Sequence, residues 1–112
     1  MSIVQEEHGS IIVEVVSLKR ATLAQAEAFK TILFQDIETG WRKIIIDLMD
    51  CEFIDSSFLG SMVIALKKIK SLGGNLRLVG VQPEVMNMLL LTRVDGIFDI
   101  YETKEEALES FM

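Results

Sequence analysis

Residues Arg42–Leu48 hold three consecutive isoleucines, Ile44, Ile45 and Ile46, between charged neighbours. In a strand, successive side chains point to opposite faces, so an unbroken β-branched run reads as a strand covered on both sides. Such strands belong to largely parallel sheets, whose connections are helices packed on the sheet.

The rest of the chain agrees. Alternation predicts a short strand near Ile3–Glu7, and His8-Gly9-Ser10 reads as a turn. Ile11–Ser17 is rich in β-branched residues and reads as a second strand paired with the first. Thr22 and Gln25 have capping-box spacing and open a helix to about Thr39, stopped by Gly40. Its apolar stripe is Leu23, Ala26, Phe29, Ile32 or Leu33, and Ile37. After the isoleucine strand comes a loop, Met49 to Asp55, then a helix from about Ser57 to Leu72. Phe58, Leu59, Met62, Val63, Leu66 and Ile69 form its core stripe. Lys67, Lys68 and Lys70 lie towards its C-terminal end, where the helix dipole favours cations. Gly73-Gly74 ends it, and Asn75–Gly80 alternates like a strand. Pro83 suits the first turn of a helix over about Glu84–Leu91. Ile97–Tyr101 reads as a last strand. Thr103 and Glu106 form a second capping box, opening a helix to about Phe111. The expected order is β-β-α-β-α-β-α-β-α, with right-handed crossovers.

The length of 112 residues fits one domain, residues 1–112. Half the residues are apolar, enough to fill a core. The net charge of −6 argues against nucleic acid or an anionic membrane surface as partner. Cys51 is alone, so no internal disulfide is expected and the chain reads as reduced and cytoplasmic. Met1 to His8 is acidic without a long apolar stretch, which is not the pattern of a signal peptide. The longest nearly apolar run, Phe58–Leu66, is too short to span a bilayer, so direct membrane insertion is not expected.

The densest functional signal is Asp55-Ser56-Ser57-Phe58-Leu59-Gly60, between the buried strand and the second long helix. Ser56 falls at or next to the N-cap, where a serine oxygen accepts from a free backbone N–H. One reading is therefore that Asp55, Ser56 and Ser57 cap a helix and do nothing else. The other starts from the same physics. A helix N-terminus welcomes an anion, so the fold could carry a phosphate on Ser56. That phosphate would add roughly −1.5 to −2 charge beside Asp55 and repel a partner docked there.

These residues also carry a family resemblance. Ile44-Ile45-Ile46-Asp47-Leu48 followed by Phe53-Ile54-Asp55-Ser56-Ser57-Phe58-Leu59-Gly60 resembles the signature of STAS domains, named from sulfate transporters and anti-sigma factor antagonists. Gly73-Gly74 before a strand, Pro83 opening a helix, Leu91-Thr92-Arg93-Val94, Ile97-Phe98-Asp99-Ile100-Tyr101 and Glu106-Ala107-Leu108 extend the likeness to about Leu108. The resemblance implies a STAS-like α/β fold: a mixed β-sheet with about four helices packed mainly on one face. It implies a bacterial anti-sigma factor antagonist that acts by partner switching. The unphosphorylated form would bind an anti-sigma factor, a serine kinase of the histidine-kinase-like ATPase type. Phosphorylation of Ser56, with Ser57 as fallback, would release it, and a serine phosphatase would reset it. The expected contact surface includes Asp55, Ser57, Phe58, Gly60, Ser61 and Ile64, with Lys19 and Arg20 in the loop beside the phosphosite. No enzymatic activity, cofactor or metal is expected.

Two positions depart from the family pattern. Phe58 stands where a small residue is usual, and it could fill the core or protrude at an interface. Ser17-Leu18-Lys19-Arg20 is basic where an acidic residue is frequent, so Lys19 or Arg20 could meet a phosphate, or be solvated loop charge. Gly60, one turn into a helix, could allow close approach of a partner or of the sheet. Cys51 reads as a semi-buried small residue, His8 as a turn residue, and Met86 and Met88 as core filler.

Rival functions fare worse. A serine hydrolase needs a base near Ser56, and the one histidine is His8. There is no nucleophile elbow, P-loop or dinucleotide fingerprint. A receiver-like phosphoaspartate domain could use Asp47 or Asp50 with Lys104, but the acidic pair after an early strand is missing. The remaining alternative keeps the fold: a STAS scaffold outside sigma-factor control, in a stress-signalling complex, another kinase–phosphatase switch or a lipid-transport assembly.

Overall fold

The computed structural model describes residues 2–112. The isoleucine run lies in the central strand of a five-stranded sheet. In chain order the elements are β1 (Ile3–His8), β2 (Ile11–Val16), β3 (Arg20–Ala21), α1 (Leu23–Glu38), β4 (Lys43–Asp47), β5 (Phe53–Ile54), α2 (Ser56–Ser71), β6 (Asn75–Val79), α3 (Pro83–Leu91), β7 (Asp99–Tyr101) and α4 (Lys104–Ser110). The sheet order is β1-β2-β4-β6-β7. β1 runs antiparallel to β2, and the other pairs are parallel.

The period-two rule explains why β4 is apolar throughout. Ile44 and Ile46 face the larger core, with Phe29 and Leu33 of α1, Met62 and Leu66 of α2, and Val85 and Leu89 of α3. Ile45 faces the opposite side, with Val13, Val79 and Ala107 of α4. Three helices thus cover one face and the short α4 covers the other, so the helices do pack mainly on one face. Gly9 takes a left-handed φ of 63° in the tight β1–β2 turn. Gly74 has no room for a side chain, because a Cβ there would strike the Arg42 carbonyl.

Several boundaries differ from the sequence reading. β3 and β5 were not anticipated. Each is two residues long, too short to show a period, and they form a separate parallel pair. α2 begins at Ser56, one residue early, and β7 begins only at Asp99, leaving Ile97 exposed. Leu23 is not core: it is 71% exposed, because the first residue of α1 projects beyond the sheet. At the alternative left open in α1, Leu33 is buried and Ile32 only half-buried. No helix among the described residues is long and apolar enough to cross a membrane.

Candidate functional site

The β3–β5 pair builds the site. Arg20 pairs with Phe53 and Ala21 with Ile54, so the next residues of each segment, Thr22 and Asp55, lie side by side. Each is an N-cap, of α1 and α2 respectively. Two helices therefore start together at one end of the sheet and run alongside each other. Their positive dipole ends converge, which is unfavourable without a counter-charge.

Asp55 supplies it. Its Oδ1 accepts from the Phe58 N–H of α2 at 2.9 Å, and its Oδ2 accepts from the Leu23 N–H of α1 at 2.8 Å. Its own N–H donates to the Ala21 carbonyl at 3.2 Å. One carboxylate caps two helices, as only an ion with two acceptor oxygens can. Thr22 completes the start of α1 with a full capping box to Gln25.

Capping by Asp55 changes the standing of Ser56. It is not the cap but the first residue of α2, and it is exposed. Its hydroxyl stands free of the capping network, beside the paired helix ends. Ser57 is half-buried, and its carbonyl accepts from the Ser61 hydroxyl at 3.3 Å.

From Ser56 a groove runs between α1 and α2. Leu23, Glu27 and Lys30 form one bank; Ser56, Ser57, Gly60 and Ile64 form the other. Ala26 and Ser61 make the floor, where the Ser61 hydroxyl donates to the Ala26 carbonyl at 2.8 Å. Ile64 is 47% exposed and, with Leu23, gives the groove two apolar edges. A Cβ on Gly60 would meet nothing within 4 Å, so the sheet is not what requires a glycine there. Gly60→Ala is expected to raise stability by about 1 kcal/mol, read as a higher urea midpoint. A loss of stability would mean that the helix needs the glycine for its own packing.

Four of the anticipated contact residues do not stand on the banks of the groove. Phe58 is fully buried, as its place in the core stripe predicts, and its ring stacks on Phe29 with centroids 4.7 Å apart and planes 7° apart. It is core because the third position of α2 points back under α1. Ser61 is 5% exposed and its hydroxyl is occupied, so it joins the helices rather than offering a contact. Arg20 lays its guanidinium over the Phe53 ring at 4.2 Å, held there by the strand pairing. Lys19 is exposed and borders a different depression, with Asp50 and Glu52. Conversely, Leu23, Glu27 and Lys30 were missed, because an apolar residue at the head of an amphipathic helix reads as core.

The groups behind the rival readings are also placed. Cys51 is buried, its thiol donates to the Phe53 carbonyl at 3.4 Å, and burial pushes its pKa up, away from the nucleophilic thiolate. His8 ends β1 within 3.3 Å of Glu6. Lys104 bonds Glu6 at 2.8 Å, its strongest partner, with Asp47 acting on it as a weaker neighbouring charge. Among the described residues no group of three His, Cys, Asp or Glu is placed to hold a metal ion.

Residues 3–107 match the family model of the STAS domain. The chain belongs to the STAS family. It is 39% identical over 103 residues to a Thermotoga neapolitana protein named as a candidate anti-sigma factor antagonist and TM1081 homolog, covering 88% of this chain and 91% of that one. The crystal structure of TM1081 from Thermotoga maritima, also described as a candidate anti-sigma factor antagonist, superposes with a TM-score of 0.90. The identity there is 34%, over 96% of this chain and 92% of the other. Phosphorylated SpoIIAA, a Bacillus cell fate determinant, shares the fold at a TM-score of 0.78 and 17% identity, over 99% and 100% of the two chains. This STAS chain thus sets Asp55 to Gly60 at the twin helix start.

Proposed function

We propose that this STAS protein is an anti-sigma factor antagonist that works in the cytoplasm by partner switching, with Ser56 as the switch. The unphosphorylated form docks an anti-sigma factor with serine kinase activity over the α1–α2 groove. The kinase transfers a phosphoryl group to the Ser56 hydroxyl, and the complex dissociates. A serine phosphatase removes the group and restores binding. The domain itself contributes no catalysis.

The observation that carries this reading is the division of labour at the helix start. Asp55 performs the capping of both helices, which leaves the exposed Ser56 hydroxyl free for modification. A phosphate there would sit at two helix N-termini, which tolerate an anion, so the fold would survive. It would also place roughly −1.5 to −2 charge beside Asp55 and Glu27 at the mouth of the groove. A partner that had buried Leu23 and Ile64 would then meet an uncompensated, desolvated charge and leave. The names borne by the relatives support the sigma-factor assignment over a scaffold role.

The test is intact-mass analysis after incubation with ATP and the cognate serine kinase, with peptide fragmentation to locate the site. One phosphate on Ser56 is expected. Ser56→Ala is expected to stay unmodified, to hold the kinase persistently and to change stability by less than about 0.5 kcal/mol. Ser56→Glu is expected to weaken kinase binding in a titration. No phosphate on a folded sample, with undiminished binding by Ser56→Glu, would overturn the switch and leave a binding scaffold.

A further inference from the structure

One carboxyl lies in the core without a cation. Glu14 is fully buried on β2, between Ile12 and Val16, on the face that α1 covers. Asp36, near the C-terminal end of α1, is only 5% exposed. Gln5 of β1, directly opposite Glu14 in the strand register, serves both. Its amide donates to Glu14 Oε2 at 2.8 Å and to Asp36 Oδ1 at 3.3 Å. The other two oxygens, Glu14 Oε1 and Asp36 Oδ2, are buried with no donor among the described residues. β4 sets Ile46 beside Glu14, α1 contributes Leu33 and Ile37 to the same core, and the Arg42 guanidinium beyond the end of α1 donates to the Ile37 and Trp41 carbonyls rather than to either carboxyl. Neither carboxyl takes part in a salt bridge among the described residues.

Two touching carboxylates in an apolar site repel, and neither can be solvated. A single hydrogen between them removes both faults. It lets one carboxyl donate to the other and halves the charge. We propose that Glu14 and Asp36 hold one proton between them in the folded protein at neutral pH, and that this proton fastens the end of α1 to the β1–β2 hairpin. Burial, then the neighbouring Asp36, pushes the Glu14 carboxyl up to about 9, and burial raises Asp36 as well.

The sign of the pH effect follows. In the unfolded chain both carboxyls ionise near their ordinary values, whereas the folded pair keeps a proton until about pH 9. The folded state binds more protons throughout that window, so stability is greatest at its acid end and is lost as pH rises. One retained proton changes the unfolding constant by up to tenfold per pH unit, about 1.4 kcal/mol. Once the proton leaves, water must reach the pair. The least costly route is β1, an edge strand with one neighbour.

The experiment compares urea unfolding of wild type and Glu14→Gln from about pH 6 to about pH 9. Glutamine keeps the shape and donates permanently to Asp36, as the protonated acid does. The wild-type unfolding constant is expected to rise with pH by up to tenfold per unit relative to the variant. Both proteins share every other ionisable group, so the comparison isolates the pair. Parallel pH slopes would overturn the proposal. Carbon-13 NMR of the Glu14 carboxyl in wild type gives a second readout that does not depend on the variant folding. A midpoint well above pH 7 is expected, and one in the ordinary carboxylate range would overturn the shared proton. Amide protection, corrected for intrinsic exchange, is expected to fail first in β1 and the last turns of α1 as pH rises. Loss beginning in other elements would overturn the fastening role.

Discussion

Phe58→Ala is expected to lower the free energy of unfolding by about 3–5 kcal/mol. The ring is fully buried and lies flat against Phe29, one side chain from each of the two helices that flank the groove. Truncation removes the transfer free energy of the ring, leaves a cavity between α1 and α2, and deletes a stacked pair worth about 0.5–1.5 kcal/mol beyond its buried area. A domain of this size has only about 5–15 kcal/mol in total, so the loss is a large share. It is to be read from the urea midpoint at constant slope. Phe58→Leu, which refills most of the volume, is expected to cost about 1.5 kcal/mol or less. An alanine variant within about 0.5 kcal/mol of wild type would contradict the core position and return the ring to the docking surface.

Asp55→Ala is expected to be the second most damaging change, at about 2–4 kcal/mol. An ordinary cap contributes about 1 kcal/mol, but this carboxylate serves Leu23 of α1 and Phe58 of α2 at once. Its removal leaves two N–H groups unpaired and two positive helix ends facing each other. Asp55→Asn separates the two contributions. An amide has one acceptor oxygen, so it can keep one helix and must release the other, at roughly half the cost. The same denaturation series checks both. A loss near 1 kcal/mol for alanine and nearly none for asparagine would mean that the α1 contact adds nothing. The alanine variant also bears on function, because helices that start apart no longer define the groove.

Much of this was legible in the residues. The isoleucine run announces a strand covered on both faces, because side chains alternate and no alternative placement hides all three. The capping box at Thr22 and Gln25 marks the start of α1 to the residue, because capping chemistry is local. The resemblance at Asp55-Ser56-Ser57-Phe58-Leu59-Gly60 pointed to the candidate site. What misled was whatever depends on the partner element. Leu23 fits an apolar stripe, yet its helix begins beyond the edge of the sheet. Phe58 fits the core stripe of its helix and was also expected on the contact surface, and the stack on Phe29 decides for the core.

The sequence by itself determined the order and type of the main elements and the segment that carries the motif. Those follow from periodicity, capping and turn chemistry, which act within a few residues. The tertiary structure alone decided that Asp55 reaches a helix 32 residues away along the chain. It decided that Ser56 is left free, that α1 supplies half of the groove, and that Glu14 meets Asp36. Each of these joins residues distant in sequence through the β3–β5 pair or the packing of α1 on the sheet. No local pattern encodes such a contact, because its energy exists only once both partners are in place.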